Sequence, residues 1–225
     1  MKTTWKIAQA ELKSLFSSPI AWLILIIFTF QAGLGMSEKL SDEIRHIALY
    51  GRGYNLTGAI LAREVGSVFS DMLENLYLYI PLLTMGLMSK EYSSGSIKLL
   101  YSSPITNAQI ILGKYASMLV YSAVLMLVLL VFLFFGAGFI ENFDYPRAFT
   151  ALLGIFFLTC AYAAIGLFMS TLTAYQVVAA VGTLTVLALL NYVQNVGQNY
   201  DFVRDITYWL SLAGRSKQFL EGMIC

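Results

Sequence analysis

Residues 148–200 read AFTALLGIFFLTCAYAAIGLFMSTLTAYQVVAAVGTLTVLALLNYVQNVGQNY and contain no Asp, Glu, Lys or Arg. A helix needs about 20 mostly apolar residues to cross about 30 Å of hydrocarbon. This one uncharged stretch therefore holds two crossings, from about Phe149 to Met169 and from about Val177 to Tyr192. The segment STLTAYQ (170–176) makes the tight turn between them.

The same pattern continues towards the N-terminus. Tyr115 to Ile140 and Ser14 to Ser37 are also free of charge. They hold a span over about Tyr115–Gly138 and a first span over about Ile20–Met36. Another lies at about Asn75–Met88, with Glu74 at its membrane rim and Pro81 inside it. In lipid a proline kinks a helix without breaking it, because neighbouring helices satisfy the freed carbonyl. Composition agrees: 58% of residues are hydrophobic and only 12% charged, against about 25% charged in soluble domains. The expected fold is all-α, a polytopic transmembrane helical bundle of five spans.

Before the first span, Thr4–Ser18 (TWKIAQAELKSLFSS) sets Trp5, Ala8, Leu12, Leu15 and Phe16 on one helical face, away from Lys6, Glu11 and Lys13. This is the pattern of a helix lying in the membrane interface, with Pro19 turning the chain into the bilayer. The apolar run that follows is too long for a signal peptide. Ser37–Glu74 reads as a polar segment with a loop at Gly51, Gly53 and Gly58 and an amphipathic stretch over Leu56–Leu73. Val193–Cys225 reads as polar and aromatic with modest helical character. A net charge of +1 calls for no nucleic acid or other acidic polymer as a partner.

Catalytic chemistry is not written in the chain. His46 is the one histidine, so a histidine-rich metal site is excluded. Gly113-Lys114 has Ala108 where a phosphate-binding loop needs its first glycine, and Tyr115 where it needs Ser or Thr. No Gly-x-Ser-x-Gly elbow occurs. No catalytic residue, metal or cofactor is expected, and no ionisable group falls near a span centre. Gly166 with Ser170, and Cys160 with Ala164, are spaced for close helix packing, inside one bundle or between two copies.

The most informative segment is Ser89–Lys114, SKEYSSGSIKLLYSSPITNAQIILGK. It has a charged entry at Lys90 and Glu91, a small flexible patch over Ser93–Ser96, and an amphipathic turn at Ile97, Leu99 and Leu100. A proline turn follows at Ser103-Pro104, then a helical approach to the next span. Physically this is a compact elbow able to dock on a partner.

The segment resembles the signature of type-2 ABC exporter permeases. Glu91, Gly95, Leu99-Leu100, Pro104 and Gly113-Lys114 occur in the order and spacing of that family. The opening TTWKIAQAELKSLFSSPIAWLILIIFTFQAG and the ending GRSKQFLEGMI are similar to gliding-motility-type permeases of Bacteroidetes-like bacteria. The resemblance implies a single permease domain over residues 1–225, truncated before the family's sixth span, and a multi-pass protein of the bacterial inner membrane. It implies an exporter half that is not itself an enzyme, moving an unread substrate with ATP hydrolysed by a separate ABC ATPase subunit. A second permease subunit, identical or different, would complete the route. The coupling positions carried over are Lys90, Glu91, Ser94, Gly95, Ile97, Leu99, Leu100 and Pro104. Trp5, Leu12, Leu15 and Phe16 would anchor the interfacial helix in the lipid bilayer.

With a cytoplasmic N-terminus, Lys2, Lys6, Lys13, Lys90, Lys98 and Lys114 lie inside, while eight basic residues lie outside among many acids. The raw count does not favour this orientation. The three lysines flanking the first span do, and the first helix usually dominates. The alternative function is a non-transporting membrane scaffold of an envelope or motility complex. An intramembrane enzyme has no clustered catalytic groups to support it.

Overall fold

The computed structural model describes residues 2–51, 68–102, 104–139 and 143–192. Every regular element among them is an α-helix: α1 Lys2–Ser17, α2 Pro19–Tyr50, α3 Val68–Thr84, α4 Ser89–Ser94, α5 Ile97–Ser102, α6 Asn107–Phe139, α7 Tyr145–Leu172 and α8 Gln176–Tyr192. The protein is an all-α membrane helical bundle. Within α2, α6 and α7, the segments Pro19–His46, Asn107–Gly138 and Tyr145–Leu172 are long and apolar enough to cross a bilayer. The 17 residues of α3 and of α8 rise about 25 Å each, and both helices abut residues outside the described set.

The helices begin and end where local chemistry allows. Pro19 opens α2 at a position where its missing N–H has no partner to lose. Trp22 Nε1 donates to Phe16 O at 2.7 Å, tying the α1–α2 corner. Gly51, at φ 77°, follows the last residue of α2 in the left-handed conformation that ends helices. Thr106 and Gln109 form a reciprocal capping box at the start of α6, with Gln109 N–H on Thr106 Oγ1 (3.4 Å) and Thr106 N–H on Gln109 Oε1 (3.3 Å). Asp144 caps α7 by accepting from Arg147 N at 3.3 Å.

Several expected boundaries move. The first span was expected to give way to a polar segment at Ser37, but α2 continues to Tyr50. Loss of hydrophobicity ends a span without ending a helix, and no Gly or Pro intervenes between Ser37 and Tyr50. The helical approach expected after Pro104 runs unbroken into the next span, so that α6 starts at Asn107. Pro81 lies inside α3, as expected, but the helix stops at Thr84 and residues 85–88 form a turn. Within the patch Ser93–Ser96, Ser93 and Ser94 close α4, and Gly95 and Ser96 separate it from α5. Gly53, Gly58, residues 56–67 of the amphipathic stretch, Ser103 and Val193–Cys225 lie outside the described residues.

The chain divides into two compact units. One comprises Met1–Ile24, Tyr77–Val124 and Thr159–Leu189. Its core holds Ile80, Leu83, Met118, Tyr121, Tyr162, Ala163 and Leu187, all buried. The other comprises Leu25–Leu76, Leu125–Leu158 and Leu190–Cys225, and buries Phe28, Ala32, Phe69, Leu76, Leu129, Leu133 and Ile155. In both units large apolar side chains are also exposed, among them Phe30, Val131 and Phe134 in one and Phe168 and Val181 in the other. Such surface is a liability in water and the normal exterior of a bundle solvated by lipid. The buried hydroxyls of Ser122 and Thr183 donate within their own helices, to Met118 O and Ala179 O, which satisfies them without water.

Candidate functional site: an elbow pinned by one lysine

The elbow lies wholly in the first unit. Gly95 (φ 72°, ψ 2°) ends α4, its N–H donating to Tyr92 O at 3.3 Å. That left-handed turn is easy only for glycine, and it lets α5 start at once: the Lys98 N–H bonds Gly95 O, and the Leu99 and Leu100 N–H groups bond Ser96 O. Ser94 and Ser96 hydroxyls meet at 2.9 Å across the corner. Burial, and then a hydrogen bond with Tyr101, push the Tyr92 phenol pKa up, which links the two short helices through their side chains.

Helices this short need outside support. The N-cap of α4, Met88, offers no side-chain cap, so the first N–H groups of α4 look elsewhere. Ser170, at the end of α7 and fully buried, supplies it. Its hydroxyl accepts from Met88 N–H (3.0 Å) and Ser89 N–H (3.1 Å) and donates to Met85 O (3.0 Å). One side chain thereby fastens the α3–α4 turn to α7. Close by, Gly166 lets α7 approach α3, since a Cβ there would stand 2.7 Å from Thr84 Cβ. Gly166 and Ser170 thus pack against other helices of the same unit.

The second anchor is electrostatic. Lys114 is 1% exposed, and its ammonium is shared by Glu91 Oε1 of α4 at 2.6 Å and by Glu11 Oε1 of α1. Glu91 Oε2 is buried with no hydrogen-bond partner among the described residues. One cation therefore joins three helices. The residue before it explains how α1 gets close enough: a Cβ on Gly113 would lie 2.8 Å from Ile7 Cγ2 and 3.1 Å from Thr4 O. The Gly-Lys pair is a contact followed by a charge. A cleft of about 620 Å³ opens beside the cluster, lined by Ser14, Lys90, Glu91, Ser94, Lys114 and Gln176 among others.

The expected coupling residues separate into inner and outer groups. Ile97 is buried at 9% exposure, and Glu91 turns inward to Lys114. Lys90, Ser94, Gly95 and Pro104 are exposed and Leu100 is half-buried. Leu99 stands 74% exposed, with Tyr101 at 57% beside it on α5. On α1, Leu12, Leu15 and Phe16 are half-buried, while Trp5 is exposed. Sequence reasoning missed Glu11, Ser170 and Tyr101 and took Lys114 only as the opening of a span.

The class that the fold defines is a membrane helical bundle, here carrying a compact polar elbow. The chain belongs to the ABC-2 family transporter proteins, whose family model matches residues 5–199. No curated protein matches the chain. It is a multi-pass membrane permease of the ABC transporter class, a class that works with an ABC ATPase.

Proposed function

We propose that the chain is the membrane-spanning permease subunit of an ABC exporter, and that α4 and α5 form the surface on which its ATPase subunit docks. The observation that carries this reading is the pairing of an exposed Leu99 and Tyr101 with a rigidly held base. Ser170 and Lys114 fix α4 to α7, α6 and α1, so a push on α5 moves helices instead of bending a loop. Lys90, Ser94, Gly95 and Pro104 border the contact; Ile97, Leu100 and Glu91 shape it from within. The N-terminus and elbow then lie in the cytoplasm and the bundle in the bacterial inner membrane. A second permease subunit, identical or different, completes the route, and gliding-motility-type exporters are the subtype proposed.

Leu99→Asp places a charge on a side chain that is already exposed, so insertion and folding should be unchanged. Pull-down of the ATPase encoded beside the gene should fail with this variant and succeed with Lys98→Gln. Recovery of the ATPase with Leu99→Asp would show that docking lies elsewhere.

A further inference from the structure

The outer side of α1 carries a second feature, separate from the elbow. Trp5, Ala8, Gln9, Leu12, Lys13, Phe16 and Val120 of α6 line an open groove of about 390 Å³, within the roughly 300–1,000 Å³ typical of ligand sites. Its lining is mostly apolar, and Ala8 and Val120 are its small members. Trp5 remains 57% exposed at this groove. Lys6, Gln9 and Lys13 follow one another at three- and four-residue spacing, which stacks them along one stripe of the helix. All three are exposed. Glu11, the only acid on α1, is committed to Lys114. The stripe is therefore cationic beside an apolar slot.

We infer that this groove is a binding site for an anionic phospholipid, its acyl chain lying between α1 and α6 and its phosphate held by Lys13 and Lys6. The chemistry selects this occupant. A protein helix would fill the slot without needing the two lysines, and a free anion would use the lysines without needing the slot. An anionic lipid uses both, at the depth where an amphipathic helix lies. The bound lipid would set the seating of α1, and the other face of α1 holds Lys114 of the elbow. The site stands on its own geometry and does not depend on the exporter reading.

Bromolipid quenching tests it. The full chain carrying Trp22→Phe and Trp209→Phe keeps Trp5 as its one tryptophan. It is reconstituted in phosphatidylcholine containing a small mole fraction of brominated phosphatidylglycerol or brominated phosphatidylcholine. Phosphatidylglycerol should quench Trp5 more strongly and saturate at low mole fraction. Each lysine removed should lower that preference about fivefold, so Lys6→Gln with Lys13→Gln should bring the two lipids nearly level. Val120→Phe, which fills the slot, should abolish saturation while both lysines remain. Equal quenching by the two lipids, a preference unchanged in either variant, or no quenching by either lipid would overturn the site. The last result would mean that protein covers the groove.

Discussion

Replacing Lys114 by Met tests the structural logic of the elbow. The substitution keeps an unbranched apolar stem of similar volume and removes only the ammonium. Glu91 Oε1 lies 2.6 Å from that ammonium, and Glu11 bonds the same atom. Two acceptors that share one tetrahedral ammonium lie about 4–5 Å apart. At an effective dielectric of about 20, two like charges at that distance repel by about 3 kcal/mol. Removing one partner of a buried ion pair costs about 3–5 kcal/mol by mutational experience. Both glutamate side chains are about a fifth exposed, so the low end of that range, about 3 kcal/mol, is the expected loss, a drop of roughly 10 °C in Tm for a chain this size. The assay is thermal unfolding in detergent, followed by the loss of the monodisperse size-exclusion peak. The decisive comparison is Lys114→Met combined with Glu11→Gln and Glu91→Gln, which leaves no net charge in the cluster. That triple variant should regain most of the lost stability, because neutral packing is often as stable as a buried ion pair. Lys114→Met unfolding at the parent temperature, or a triple variant no better than the single, would refute the reasoning.

Two further outcomes follow from the same geometry. Ser170→Ala leaves the Met88 and Ser89 N–H groups without their acceptor; it should cost about 1–3 kcal/mol and raise hydrogen exchange at those two amides while the core of α7 stays protected. Gly113→Ala drives a methyl into Ile7; it should cost about 1–3 kcal/mol in the same unfolding assay, and Ile7→Ala in the same chain should recover part of the loss.

The apolar runs that build the bundle were legible because lipid imposes a one-dimensional rule on sequence. Helix ends were less so. Hydropathy stops at Ser37, yet α2 continues to Tyr50, since propensity and solvent preference are independent properties of the chain. The elbow's turn residues, Gly95 and Pro104, could be read because each acts on its own backbone. The anchors could not. Lys114 meets Glu11 across 103 positions and Ser170 meets Met88 across 82, and no local pattern encodes such pairings. Lys114 passed as a flanking lysine, Glu11 as the wet side of an interfacial helix, and Ser170 as a small residue in a packing stripe. The Gly113-Lys114 pair was visible as a motif, but its reason is tertiary: one residue admits Ile7, the next binds Glu11.

The most direct test of the coupling surface is site-specific photocrosslinking in membranes containing the permease and the ATPase encoded beside it. A benzophenone amino acid at Leu99, exposed on α5, is compared with the same group at Phe134, exposed on α6. A covalent adduct with the ATPase is expected from position 99 and none from position 134. No adduct at 99, or equal adducts at both, would contradict it.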